Sequence, residues 1–101
     1  MIVRFNLYVA NKTKETIDYR VWVDNDLITE RMFEPKRFGD KNFTIHENLT
    51  IDLTPGEHTI KLEQIDYPEP HPPESIVIDI LSIHDVEIEE ARGKTYFAFY
   101  I

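Results

Sequence analysis

Cysteine is absent from the 101 residues, serine occurs twice and glycine three times. The first absence excludes disulfide frameworks, thiolate catalysis and cysteine-ligated zinc. Scarce glycine without a Gly-X-Y period excludes collagen, and no heptad pattern supports a coiled coil. No apolar run approaches the ~20 residues of a helical membrane span. Met1-Ile2-Val3-Arg4-Phe5 enters a strand-like pattern at once, with no charged-then-apolar leader, so secretion by a signal peptide is not expected. Cations are also scarce: 11 Lys and Arg against 19 Asp and Glu give a net charge of −8. Up to Ile45 there are eight basic and seven acidic residues, and from His46 onward three basic and twelve acidic. An acidic half repels nucleic acid, whose phosphates supply most non-specific affinity, and disfavours anionic membrane surfaces. It favours solubility, or presents an acidic face to a basic neighbour in an assembly.

What is present is apolar and aromatic: 42% hydrophobic and 12% aromatic residues. The chain has the length of one domain, 1–101. Size scaling gives about 6,000 Å² of folded surface against about 17,000 Å² unfolded, enough burial for one ordinary core.

The apolar period is two along nearly the whole chain. Val3, Phe5, Leu7 and Val9 alternate with Ile2, Arg4, Asn6 and Tyr8. Asn11–Glu15 is a polar turn. Ile17, Tyr19, Val21 and Val23 form the next apolar face, opposite Asp18, Arg20 and Trp22. Asp24-Asn25-Asp26 reads as a tight hairpin turn, because Asn and Asp tolerate left-handed φ, and Leu27–Phe33 as the returning strand. Glu34–Asp40, with Pro35 and Gly39, is a loop. Phe43, Ile45, Leu49, Ile51 and Leu53 mark a strand region with a bulge expected near Glu47-Asn48. Thr54-Pro55-Gly56-Glu57 has the chemistry of a type II turn, with Pro presetting φ and Gly accepting positive φ. His58, Ile60 and Leu62 follow it. Asp66–Glu74 holds four prolines in six residues, which favours a stiff polyproline crossover between two sheets over a docking segment. Ser75–Ile83 is apolar on both faces, as in a covered central strand, and a parity change predicts a bulge or bend around Ser82–Asp85. Thr95–Ile101 is the last strand, with Phe97, Phe99 and Ile101 expected inward and Tyr96, Ala98 and Tyr100 outward. Free of charge and proline, it needs central pairing or a covering partner. The pattern predicts an all-β chain: an antiparallel β-sandwich, a jelly roll of seven to eight strands, with no helix longer than a turn.

No arrangement of nucleophile and base stands out. Ser75 and Ser82 lie in no strand-turn-helix elbow, the four histidines are each more than ten residues apart, and a small sandwich has little room for a pocket of ~300 Å³. The reading is therefore non-enzymatic. Asp24-Asn25-Asp26 with Glu30 fails the calcium-loop pattern, since Thr29 replaces its glycine and Pro35 its final glutamate. No cofactor or metal is assigned. The candidate interface or ligand platform comprises Trp22, Arg31, Tyr67, Tyr96 and Tyr100. Trp22 and Tyr8 stand on the polar parity of their strands, where an aromatic serves either a protein contact or a sugar ring.

Val21-Trp22-Val23-Asp24-Asn25-Asp26-Leu27-Ile28-Thr29-Glu30-Arg31-Met32-Phe33, with the turn Leu53–Ile60 and the strands Ile76–Glu89, resembles small jelly-roll β-sandwich proteins of tailed bacteriophages, especially those of cyanophages. These are similar in shape to carbohydrate-binding modules. The resemblance implies a virion structural or accessory protein: capsid decoration or cement, or a neck or tail component. It would be made in the host cytoplasm and act through contacts with other virion proteins or with its own copies, without nucleic acid or membrane. The alternative is a carbohydrate-binding module for host-surface glycans. Calcium-dependent xylan-binding modules carry a tryptophan pair, whereas this chain has one Trp.

Overall fold

The computed structural model describes residues 1–35, 44–66 and 69–101. The chain is all-β, with eight strands in two four-stranded antiparallel sheets: β1 (Ile2–Asn11), β2 (Ile17–Val23), β3 (Asp26–Phe33), β4 (Thr44–Asp52), β5 (Glu57–Ile65), β6 (Ile76–Ile83), β7 (Val86–Glu87) and β8 (Tyr96–Tyr100). Sheet A has the order β4-β1-β6-β7 and sheet B the order β3-β2-β5-β8. The one helical element among the described residues is a 3-10 turn, Glu89–Ala91. Among the described residues, no helix is long and apolar enough to cross a membrane.

Alternation of side chains builds the core. Val3, Phe5, Leu7 and Val9 of β1 face Ile17, Tyr19, Val21 and Val23 of β2 within one buried cluster, joined by Ile60, Leu62, Ile76, Ile78, Leu81 and Phe99. The parity expected for β8 is observed: Phe99 is buried, Phe97 and Ile101 pack against the core, and Tyr96, Ala98 and Tyr100 are exposed. Gly56 takes positive φ (130°) in the Pro55-Gly56 turn, as expected, and exchanges both backbone hydrogen bonds with Ile101.

One expectation is corrected and another is met. No bulge occurs at Glu47-Asn48, because β1 and β4 stay in register from Ile2↔Asp52 to Ala10↔Thr44. Ile45, Glu47, Leu49 and Ile51 share one inward parity, and Glu47 is a charge on the core face. A separate irregularity lies at Asp79 of β6, the extra residue between the pairs Val9↔Ile78 and Tyr8↔Ile80. The bend expected around Ser82–Asp85 is present, as a two-residue hairpin turn. His84 and Asp85 both take positive φ, 50° and 66°, between Ile83 and Val86; this is the geometry of a type I′ turn.

The proline-rich segment joins β5 in one sheet to β6 in the other. Gln64 anchors its described end: the side-chain amide donates to the Pro72 carbonyl (3.1 Å), and its Oε1 accepts from the Ser75 N–H (3.1 Å). Four of the described strands are sheet edges: β4 and β7 in sheet A, and β3 and β8 in sheet B. The last strand is thus at an edge of its sheet, not in the centre.

Candidate functional site

The outer face of sheet B carries the aromatic residues. Pairing aligns Leu27, Trp22, Lys61 and Tyr96 in one row across β3, β2, β5 and β8. Trp22 and Tyr96 are two strand spacings apart, about 10 Å, with the Lys61 strand between them. Next to this row, Arg20 is an opposite neighbour of both Glu30 and Glu63. Its guanidinium meets Glu30 at 3.2 Å and Glu63 at 3.5 Å, and the Trp22 indole N–H donates to Glu63 at 3.2 Å. The ring is half-buried and held by that bond. Farther out lie Met32, 65% exposed, beside Asp18, and Tyr100, 76% exposed, whose hydroxyl donates to Glu57 at 3.1 Å. That bond to a carboxylate raises the Tyr100 phenol above its ordinary pKa. The face therefore combines exposed apolar groups (Leu27, Met32, Tyr96, Tyr100) with a locked Arg-Glu-Trp centre.

Trp22, Tyr96 and Tyr100 come together on this face. Tyr67 lies outside the described residues. Arg31 is elsewhere. Opposite inward-facing Tyr19, it reaches across the open side of the sandwich, from edge strand β3 to edge strand β4, and grips Glu47 through Nε (2.7 Å) and Nη2 (3.2 Å). Glu47 is 3% exposed and also accepts from the Tyr19 hydroxyl at 3.3 Å. Burial, with the Glu47 carboxylate beside it, pushes the Tyr19 phenol far up, so it stays a donor. Tyr8 is on the outer face of the other sheet, stacked on the His46 ring with centroids 4.3 Å apart. It therefore forms no platform with Trp22.

Sequence reading missed a staple at one end of the sandwich. His58 is buried, and both ring nitrogens meet acceptors: Nδ1 the Asp24 carboxylate at 2.7 Å and Nε2 the Thr54 carbonyl at 2.6 Å. Asp24 also accepts from the Thr59 N–H at 3.0 Å. An imidazole can donate to both only when protonated. The Asp24 bond, then the Thr54 carbonyl, raises the His58 pKa above 6.5. Burial pushes the Asp24 carboxyl up, but the His58 and Thr59 bonds outweigh it and hold it below 3.8. The His58 contribution is complete below its unfolded value of 6.5 and disappears as pH rises through the higher folded value. The Asp24 contribution is complete above 3.8 and is lost as pH falls through the lower folded value. Thermal melts from pH 5.5 to 9 should show wild-type stability falling on the alkaline side, with that part of the slope missing in His58→Gln.

A cavity of about 270 Å³ beside β6 and β7 is lined by Asp79, Ile80, Glu87, Ile88, Glu89 and Arg92. Arg92 Nε donates to the Asp79 carbonyl at 3.0 Å. Among the described residues, no group of three or more His, Asp or Glu could hold a metal ion. No family model, curated protein or solved structure matches the chain.

Proposed function

We propose that this chain is a non-enzymatic structural or accessory protein that works through protein-protein contacts, with the outer face of sheet B as the contact surface. The observation that carries the reading is the exposure of Leu27, Met32, Tyr96 and Tyr100 on the face that also bears Trp22. Large apolar groups gathered on one face mark an interaction site more often than a bare surface, and Trp, Tyr, Met and Arg are the residues enriched in protein interfaces. The resemblance of the Val21–Phe33 hairpin and the Leu53–Ile60 turn to tailed-phage proteins supports a virion as the assembly.

Mass spectrometry of purified particles tests this. The chain should co-purify with them. Trp22→Ala should lower its incorporation about tenfold or more, as expected for a ~1.4 kcal/mol contact at the centre of an interface. Particles without the chain would sink the proposal.

The second reading, a module for host-surface glycans, draws on the row Trp22–Lys61–Tyr96, which offers two aromatic rings and a hydrogen-bond donor on one sheet face. A glycan array separates the readings. Millimolar or tighter binding that Trp22→Ala abolishes favours the sugar, and no binding by wild type removes it.

A further inference from the structure

We infer that the chain forms a two-fold symmetric dimer by pairing the free edge of β8 antiparallel with β8 of a second copy, centred on Ala98. This concerns the edge of sheet B rather than its outer face, and it holds whether or not that face binds another protein.

Backbone alternation fixes which groups are free. Thr95 accepts from the Leu62 N–H, and Ile101 exchanges both bonds with Gly56. With the pairs Phe97↔Ile60 and Phe99↔His58 between them, the odd-numbered residues of β8 turn their polar backbone groups toward β5. Tyr96, Ala98 and Tyr100 turn theirs to the open side, where no described residue meets them. A row of unpaired N–H and C=O groups is a template for another strand.

The other three edges carry recognised protection. β3 has an extra residue at Ile28, between the pairs Trp22↔Leu27 and Val21↔Thr29, and displays Asp26, Glu30 and Arg31. β4 displays His46 and Asp52 and carries the inward-pointing charge of Glu47, and β7 is two residues long. β8 has no charge, proline or bulge.

The sequence of β8 selects the occupant. Tyr96-Phe97-Ala98-Phe99-Tyr100 is a palindrome. An antiparallel pair centred on Ala98 sets each Tyr96 opposite the second copy's Tyr100, each Phe97 opposite the second copy's Phe99, and Ala98 opposite itself. The residues with free backbone groups then coincide with the hydrogen-bonded pairs of the new ladder. The same patch meets itself, as an isologous dimer requires. Charge agrees as well. Lys61 lies beside Tyr96 and Glu57 beside Tyr100, so every tyrosine row across the seam runs from a lysine of one copy to a glutamate of the other. The two copies of Ala98 flank the two-fold axis as a directly opposed pair, so any side chain placed there stands next to its own copy. Two four-stranded sheets become one continuous sheet, and no edge of β8 remains to recruit a third chain.

Sedimentation equilibrium at high micromolar concentration should give the mass of two chains. Ala98→Lys places like charges directly opposite each other at the axis, while an exposed lysine suits a lone edge strand. It should return the chain to monomer with its circular dichroism spectrum unchanged. Ala98→Cys supplies a unique thiol and covers the case in which the lysine variant fails to fold. At the axis two such positions have Cα atoms about 5.5 Å apart, inside the ~4.4–6.8 Å window of a disulfide, so mild oxidation should cross-link it as a dimer. Tyr96→Cys, displaced from its own copy by four residues along the strand, should not cross-link. A wild-type monomer, a dimer that survives Ala98→Lys, or equal cross-linking of the two cysteine variants would overturn the inference. Loss of the outer-face contacts alone would leave these results unchanged.

Discussion

Phe99→Ala should cost about 3–5 kcal/mol, a large part of the ~5–15 kcal/mol available to a small domain. Phe99 is 5% exposed and lies edge-on to Phe5, with ring centroids 5.5 Å apart at 71°, so its removal opens a void between the two sheets. It also packs at 6.0 Å against the His58 ring, so the His58–Asp24 staple loses a wall. Tyr100→Ala, one residue on, should change the isolated chain by about 0.5 kcal/mol or less, as surface substitutions commonly do. Its ring is 76% exposed and its hydroxyl bond to Glu57 is bathed in solvent. Tyr100→Ala should instead weaken self-association. Urea melts at a concentration where the chain is monomeric measure the contrast. Equal losses would mean that the two faces of β8 have been exchanged, because a shift of one residue reverses every side chain of a strand.

The alternation on β1, β2, β5 and β8 was legible because each strand buries one face, and the Pro55-Gly56 turn because its residues meet a specific φ requirement. Glu47 misled the reading for a physical reason. A charge in an apolar series looks like a break in register, and only a partner elsewhere in the chain makes it tolerable inside. That partner, Arg31, is supplied by the other sheet. Asp79 was missed similarly: a bulge is defined by the strand opposite, and β6 alone does not reveal that Tyr8 and Val9 lie across from it. The aromatic platform was half legible. Parity set Trp22, Tyr96 and Tyr100 outward, but their alignment depends on two successive pairings, β2 with β5 and β5 with β8. Strand order is a long-range property, so the last strand could be recognised as needing cover without its edge position being visible.

Arg31→Met should cost about 2 kcal/mol. The value lies between two limits. Removing one member of a fully buried ion pair costs about 3–5 kcal/mol because the other charge is stranded, whereas a solvent-exposed pair contributes about 0–1 kcal/mol. Glu47 belongs to the first class and Arg31, half exposed, to the second. Water can reach the vacated site from the rim, but the carboxylate would retain only the Tyr19 hydroxyl at 3.3 Å. Glu47→Leu removes the buried charge but leaves the Tyr19 hydroxyl without its acceptor, at a cost of about 1–3 kcal/mol. The combination Tyr19→Phe, Arg31→Met, Glu47→Leu removes every polar group of the cluster and fills the space with apolar atoms. It should recover most of the loss or exceed wild type, since apolar replacements of buried ion pairs are often neutral or stabilising by ~1–4 kcal/mol. Denaturant melts of the two single variants and the triple variant measure the coupling directly. A loss below about 0.5 kcal/mol for Arg31→Met would make the contact an ordinary surface pair. A triple variant less stable than Arg31→Met would show that the polar cluster, rather than apolar packing, closes this side of the sandwich.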